Sequence, residues 1–276
     1  MDRIRLIASD MDATLLDEQS QLPADFEETI HALAELGIRF APASGRPLYT
    51  LEELFPTLRD ELVFIGDNGG AIRWKGQNLF TSEMSPEGWR ALNRLTREQG
   101  DIAVLCGLES AYVERPFAVH DAVLRHFYTK IEYVDRLEDV TAPADKFTIY
   151  LPQHNAQQAY DTIYASQRSI YSVAVAGECW VDIMNPGVHK GAALQTLGQL
   201  WGLPSESIMA FGDTYNDAEM LQTVRYGFLM ENGSVPLRQK VPFLAPSHRE
   251  AGVMQVLHRV LAQNGCVCPE DFVPAH

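Results

Sequence analysis

The stretch Arg3–Thr14, RIRLIASDMDAT, decides the reading of the fold. Its apolar run is short and unbroken, as expected of a parallel strand covered on both faces. The run ends directly in two carboxylates, Asp10 and Asp12. In open α/β sheets, ligands bind beyond the carboxyl ends of the strands, so two acidic groups there are well placed for chemistry. One such carboxylate can attack an electrophile such as phosphorus while the other handles the proton on the leaving oxygen. Two like charges that close also invite a divalent cation. An aspartate after a strand equally often closes a turn or caps a helix, so the motif alone leaves both readings open.

The sequence that follows repeats the strand–helix alternation. Pro23 precedes an amphipathic stretch from Ala24 to Leu36, stopped by Gly37, which predicts a helix. Ile38–Ala43 reads as a second strand, Leu48–Leu54 as a helix and Val63–Ile65 as a third strand. This β-α-β-α-β order predicts an α/β fold with a doubly wound, Rossmann-like parallel sheet. The pattern then changes. Ala71–Phe80 reads as a hairpin turning at Lys75-Gly76, and a helix is expected from Ser85-Pro86-Glu87 to Gly100. Strands are expected at Ile102–Val113, Lys146–Leu151, Ser172–Ala176 and Trp180–Ile183, with helices at Phe117–Tyr128 and Asn155–Gln167 between them. After Pro186-Gly187 the first rhythm returns: a helix over His189–Trp201, a strand over Ser207–Phe211, a helix starting near Asn216 and an amphipathic stretch over Glu250–Gln263. The expected organisation is a discontinuous core, residues 1–82 and 188–276, with an α+β cap, residues 83–187, inserted into it.

Bulk properties narrow the function. The chain has 276 residues, 46% hydrophobic and 21% charged, which is ordinary globular composition. Its formal net charge of -15 argues against nucleic acid as a partner, because nucleic-acid binders concentrate positive charge. A small anionic substrate remains compatible, since a metal and one or two cations reverse the field locally. Four cysteines are too sparse for a disulfide framework, and Cys266 and Cys268 flank a single valine, which is not a usual zinc spacing. With no leader or membrane-spanning segment legible, a cytoplasmic location is expected, and nothing points to a membrane or a protein partner.

Three further clusters follow predicted core elements. Ser44-Gly45-Arg46 comes just after the second strand, where a hydroxyl and a free backbone N–H form a cradle for phosphate oxygens; taken alone, an ordinary serine N-cap beside a glycine explains it better. Lys190 opens a helix, where the helix dipole disfavours a cation, although by itself a solvated surface lysine is the better explanation. Gly212-Asp213-Thr214-Tyr215-Asn216-Asp217 places two more carboxylates and an amide beyond the strand at Ser207–Phe211. Magnesium prefers oxygen ligands and keeps several waters, and Asp10, Asp12 and Asp213 suffice for such sparse coordination.

Taken in order, SDMDATLL, SGR, GVHKGAAL and GDTYNDAEML resemble the four motifs of the haloacid dehalogenase superfamily of phosphotransferases. The long insert resembles the α/β cap of its Cof-like branch, and CGLESAYVE resembles a cap segment of bacterial sugar phosphatases. The resemblance implies a phosphatase of small phosphate monoesters, with sugar phosphates as the expected substrates. It implies that Asp10 is the nucleophile that becomes phosphorylated, and that Asp12 protonates the leaving oxygen and later activates water. The Asp10 carboxylate, the Asp12 carbonyl and the Asp213 carboxylate would hold Mg2+. Ser44, the Gly45 backbone, Asn216 and Lys190 would bind the phosphoryl oxygens, with Asp217 supporting the metal or Lys190. Ala13 stands where the family usually has glycine; should the position need a positive φ, alanine is strained there by around 1 kcal/mol. Arg46, Asn68 and the stretch Gly177–Asp182, including Asp182 itself, are candidate substrate contacts. The motifs do not separate a phosphatase from a sugar phosphomutase, and a non-catalytic phosphometabolite-binding regulator is the alternative outside enzymes.

Overall fold

The computed structural model describes residues Met1–His276. Its first sheet explains why the opening stretch reads as it does. Leu6–Ser9 lies between Ile208–Gly212 and Arg39–Pro42, parallel to both, and every residue of Leu6–Ser9 is buried. Tyr226–Met230 and Phe243–Ala245 continue the parallel sheet outward, and Val273–Pro274 closes that edge antiparallel. Helices cover both faces. Phe26–Glu35 and Gly252–Ala262 pack with Phe40, Phe211, Phe228 and Phe64 in one apolar cluster. Lys190–Trp201 and Ala218–Thr223 contribute Ala193, Leu194, Leu197, Met220 and Leu221 to the cluster on the other face. Gly37 ends the first helix at φ +75°, a conformation glycine reaches without steric cost. No helix is long and apolar enough to cross a membrane.

The third expected strand goes elsewhere. Val63–Gly66 packs beside the parallel sheet but pairs with it only through one parallel bridge from Ile65 to Ala43, and its ladder is with Ala71–Trp74 in a separate three-stranded antiparallel sheet. The hairpin to Gln77–Thr81 turns at Lys75-Gly76, both with positive φ. A backbone that pairs antiparallel on one side and hardly at all on the other looks the same in sequence as a buried parallel strand: both are short apolar runs.

Residues 102–184 build a six-stranded sheet in the order Ser172–Val175, Trp180–Met184, Ala144–Tyr150, Ile102–Gly107, Ala111–Glu114, Ile131–Val134. The single expected strand Ile102–Val113 is a hairpin of two, folded at Leu108-Glu109-Ser110, and Ile131–Val134 escaped the reading because it is short. One face of this sheet carries the helix Pro86–Gln99, which buries Trp89 and Leu92 in a cluster with Phe147, Val181 and Ile183. That helix is well bounded: the Ser85 side chain accepts from the Gly88 N–H, Pro86 sits in the first turn, and Gly100 closes the end at φ +76°. On the opposite face, the half near Asp121–Phe127 is covered by that helix, and the half bearing Lys146, Thr148 and Asp182 turns to the first domain.

Candidate active site

The carboxyl ends of Leu6–Ser9, Arg39–Pro42 and Ile208–Gly212 converge, and the four motifs converge with them. Asp10 follows its strand with its N–H on the Phe211 carbonyl. The chain then makes one wide turn over Met11–Leu15, closed by the Leu16 N–H on the Met11 carbonyl, with Asp12 extended and Ala13 left-handed at φ +59°. The position therefore does require the conformation that costs alanine its strain. Asn232 donates to the Ala13 carbonyl at 2.9 Å and anchors the turn from outside.

Lys190 reaches in from the start of its helix and is wholly buried. It pairs with Asp10 and donates to Asp217 at 2.7 Å. A buried ammonium is tolerated only when paired, and here both partners are buried carboxylates. The second Asp217 oxygen accepts from the backbone N–H groups of Asp213, at 3.0 Å, and Thr214, at 3.3 Å. Asp217 can fold back this tightly because residue 212 is glycine: a Cβ there would lie 2.4 Å from the Asp217 Cβ. Asp217 thus spends both oxygens holding Lys190 and the 213–214 loop.

Asp10, Asp213 and Asp217 present carboxylate oxygens within 4.8 Å of one another. Burial, followed by the charge of Asp217, pushes the Asp10 carboxyl up to about 8, against the opposing pull of Lys190. Burial and Asp217 likewise push Asp213 up to about 7. The crowding that raises the Asp10 and Asp213 carboxyls is what a hard divalent cation relieves, so Asp10 and Asp213 fit magnesium, while Asp217 is committed to Lys190 and the loop.

Ser44, 3% exposed, accepts the Arg46 N–H on its hydroxyl oxygen at 3.1 Å, which leaves its own proton free toward the cavity it lines. Gly45 and Asn216 line the same cavity. The cap candidates fare differently. Arg46 turns to Asp12 and contacts both of its oxygens, at 2.8 and 3.1 Å. Asn68, in a turn where both it and Asp67 have positive φ, donates to Asp182 at 3.2 Å and accepts from Asn216 at 3.4 Å. Asp182 is 4% exposed, holds Asn68 and Thr148, and lies in the seam between cap and core rather than on the cavity wall. From Gly177–Asp182 only Gly177 reaches the wall; the strand just before it, Ser172–Val175, together with Ala176 forms part of that wall.

Two groups escaped the sequence reading. Lys146, 2% exposed, crosses the seam from the cap to the Gly45 carbonyl at 2.7 Å and pairs with Asp67 at 2.9 Å. A pair of adjacent charges, Asp145-Lys146, running into the apolar stretch FTIYL was the available signal. His189 caps the helix of Lys190 by accepting from the Ala192 N–H at 3.1 Å, and it lines the cavity.

The chain resembles known proteins along most of its length. The model of the haloacid dehalogenase-like hydrolase family matches residues 7–257, and the chain belongs to that family. It is 31% identical over 262 residues to the 5-amino-6-(5-phospho-D-ribitylamino)uracil phosphatase YbjI of Escherichia coli, covering 94% of this chain and 96% of that one. It is 30% identical over 250 residues to the HMP-PP phosphatase of Cronobacter sakazakii, covering 87% and 89%. A Streptococcus mutans structure superposes with a TM-score of 0.85 at 29% identity, covering 94% and 99%. The chain is a phosphoric monoester hydrolase of this family.

Proposed function

We propose that the chain hydrolyses small phosphate monoesters whose phosphate sits on a sugar or sugar alcohol, through a phosphoaspartyl intermediate on Asp10. The observation that carries the substrate reading is the wall of the cavity above Asp10. The cavity measures about 970 Å³, the cap lines it with Ser172, Val173, Ala174, Val175, Ala176 and Gly177, and no lysine or arginine is among its lining residues. Lys190 serves the phosphoryl end, so a second phosphate or carboxylate on the substrate would find no cation to meet it. A neutral polyhydroxyl leaving group suits such a wall. A bisphosphate does not, which weighs against a phosphomutase. The room also suits a sugar alcohol carrying a heterocycle, the kind of substrate in the name of the Escherichia coli relative.

In the first half-reaction an Asp10 oxygen bonds to phosphorus as the ester P–O bond breaks, and Asp12 delivers a proton to the departing oxygen. In the second, Asp12 takes a proton from water as that water attacks phosphorus, and orthophosphate leaves with Asp10 restored. Ser44, the Gly45 N–H, Asn216 and Lys190 hold the phosphoryl oxygens in place, which is most of what phosphoryl transfer asks of a protein. Magnesium held by Asp10, Asp213 and the Asp12 backbone would neutralise charge on the transferring group. Arg46 holds the Asp12 side chain and keeps it from swinging away.

The test is phosphate release from a panel of sugar phosphates, phosphorylated sugar alcohols with and without a heterocycle, nucleotides and an aryl phosphate, with magnesium or with EDTA. Release is expected only with magnesium, to vanish in Asp10→Asn, and to rank sugar and sugar-alcohol esters above nucleotides. A preference for nucleotides or bisphosphates would overturn the substrate reading, and turnover surviving in Asp10→Asn would overturn the mechanism.

A further inference from the structure

The phosphate-binding turn Ser44-Gly45-Arg46 has three successive carbonyls, and each one holds a donor. The Ser44 carbonyl accepts from the Asn68 N–H at 2.9 Å, and the Arg46 carbonyl accepts from the Asp67 N–H at 3.0 Å. Both donors belong to the turn that follows Val63–Gly66. The middle carbonyl, that of Gly45, accepts instead from Lys146 of the inserted cap, 101 residues away in sequence, at 2.7 Å. The Gly45 carbonyl and the Arg46 N–H are the two ends of one peptide unit, and that N–H is the donor to the Ser44 hydroxyl.

We propose that Lys146 is a positioning residue for phosphoryl binding: from the cap, it fixes and polarises the Gly45–Arg46 peptide and through it orients the Ser44 hydroxyl. A cation on the carbonyl of a peptide makes its N–H a stronger donor, and chains of hydrogen bonds reinforce one another in a low-dielectric interior. The Arg46 N–H then holds the Ser44 lone pair more firmly, and the hydroxyl proton is left to point at a phosphoryl oxygen. The cap on this reading completes the phosphate site as well as walling the leaving group.

The cap is built to deliver this ammonium. The ladder between Ala144–Tyr150 and Ile102–Gly107 slips at Asp145, with Ala144 opposite Gly107 and Lys146 opposite Cys106. Such a bulge re-aims side chains, and bulges are enriched beside active sites. Lys146 is flanked by Asp67 at 2.9 Å and Asp182 at 3.6 Å. Burial opposes its charge, yet Asp182 and Asp67 outweigh burial and keep it an ammonium. Asp182 in turn is fixed by Thr148, at 2.7 Å, and by Asn68. A lysine serving only to bind cap to core would need no bond to the phosphate turn.

The inference rests on the proposed phosphoryl site at Ser44, and its test reads that site without turnover. Orthophosphate binding is measured by calorimetry with magnesium present, on wild type, Lys146→Met and the double variant Lys146→Met/Asp67→Asn. The double variant removes one cation and one anion together, so the net charge of the seam is unchanged, and it decides the matter should Lys146→Met fail to fold. Orthophosphate is expected to bind at least tenfold more weakly to the folded variants. KM for a small and a large phosphate ester should rise by the same factor, because the defect lies at the phosphate and not at the leaving group. Affinity within twofold of wild type in the double variant, even with a lowered Tm, would show that Lys146 only joins the domains. Wild type that binds orthophosphate but hydrolyses nothing would sink the proposed function and leave this inference standing; wild type that binds none at millimolar concentration would overturn both.

Discussion

Ala13 shows how much a single residue of the first motif carries. The wide turn over Met11–Leu15 aims Asp10 and Asp12 from one strand end, and residue 13 accomplishes it at φ +59°. A side chain in that region costs roughly 1–2 kcal/mol, partly offset because glycine has more freedom to lose from the unfolded chain. Ala13→Gly is therefore expected to raise stability by up to about 1 kcal/mol in denaturant unfolding, with turnover within about twofold of wild type. Lower stability would mean that the Ala13 methyl packs to advantage. Lys190 and Asp217 make the complementary point. The sequence shows a lysine at a helix start and an aspartate four residues past another, and nothing local says that they meet. They meet at 2.7 Å because two helices on one face of the sheet both begin at its carboxyl edge.

At the scale of elements, the strand Ser172–Val175 matters most. It stands at the edge of the cap sheet, paired only with Trp180–Met184, and so its free edge borders the cavity. The Ala176 N–H goes to the Trp180 carbonyl, so by the alternation of an antiparallel ladder Val173 and Val175 turn their backbone groups to the open side. Ala174 is opposite Asp182 and shares its face, the one turned toward the core. Small side chains here leave room, and a large one would take it. Ala174→Trp is expected to lower kcat/KM for a phosphorylated sugar alcohol bearing a heterocycle by roughly tenfold, ~1.4 kcal/mol in transition-state binding, and to leave a three-carbon phosphate ester nearly untouched. Equal losses on both would mean that the strand does not select the leaving group. The strand itself was legible as an alternating apolar run; its place at an edge was not, since sheet order follows from pairing with segments far away.

At the scale of the whole molecule, the parallel sheet and the six-stranded sheet are joined by a buried polar seam as well as by outer contacts. Thr50 accepts the Thr129 N–H at 3.1 Å, and Arg73 of the core hairpin pairs with Glu109 of the cap. Between them lie Lys146, Asp67, Asp182 and Asp145. Asp145 is wholly buried against Gly70, with no donor to either oxygen. Burial, then the charge of Asp67, holds its carboxyl well above the usual carboxylate range and so favours its protonated form. An unfolded aspartate loses its proton near pH ~3.9, so between that pH and the folded pKa the unfolded chain binds fewer protons and stability falls as pH rises. Asp145→Asn, which keeps a donor and has nothing to ionise, should gain in Tm over wild type as pH goes from 4 to 7. A gap that stays constant or closes would show that Asp145 is ionised in the fold.

By itself the sequence determined the α/β class and pointed to four clusters at strand ends or at the start of a following helix, because strands, helices and motif spacing are local and periodic. It also marked the family. Only the tertiary structure decided that Val63–Gly66 pairs mainly outside the parallel sheet, that Arg46 contacts Asp12, that Asp182 lies in the seam, and that Lys146 reaches the Gly45 carbonyl. Each of these is a contact across tens of residues or more, or a choice of pairing partner. Their strength comes from burial and charge that exist once the chain has closed, and no stretch of sequence read alone contains them.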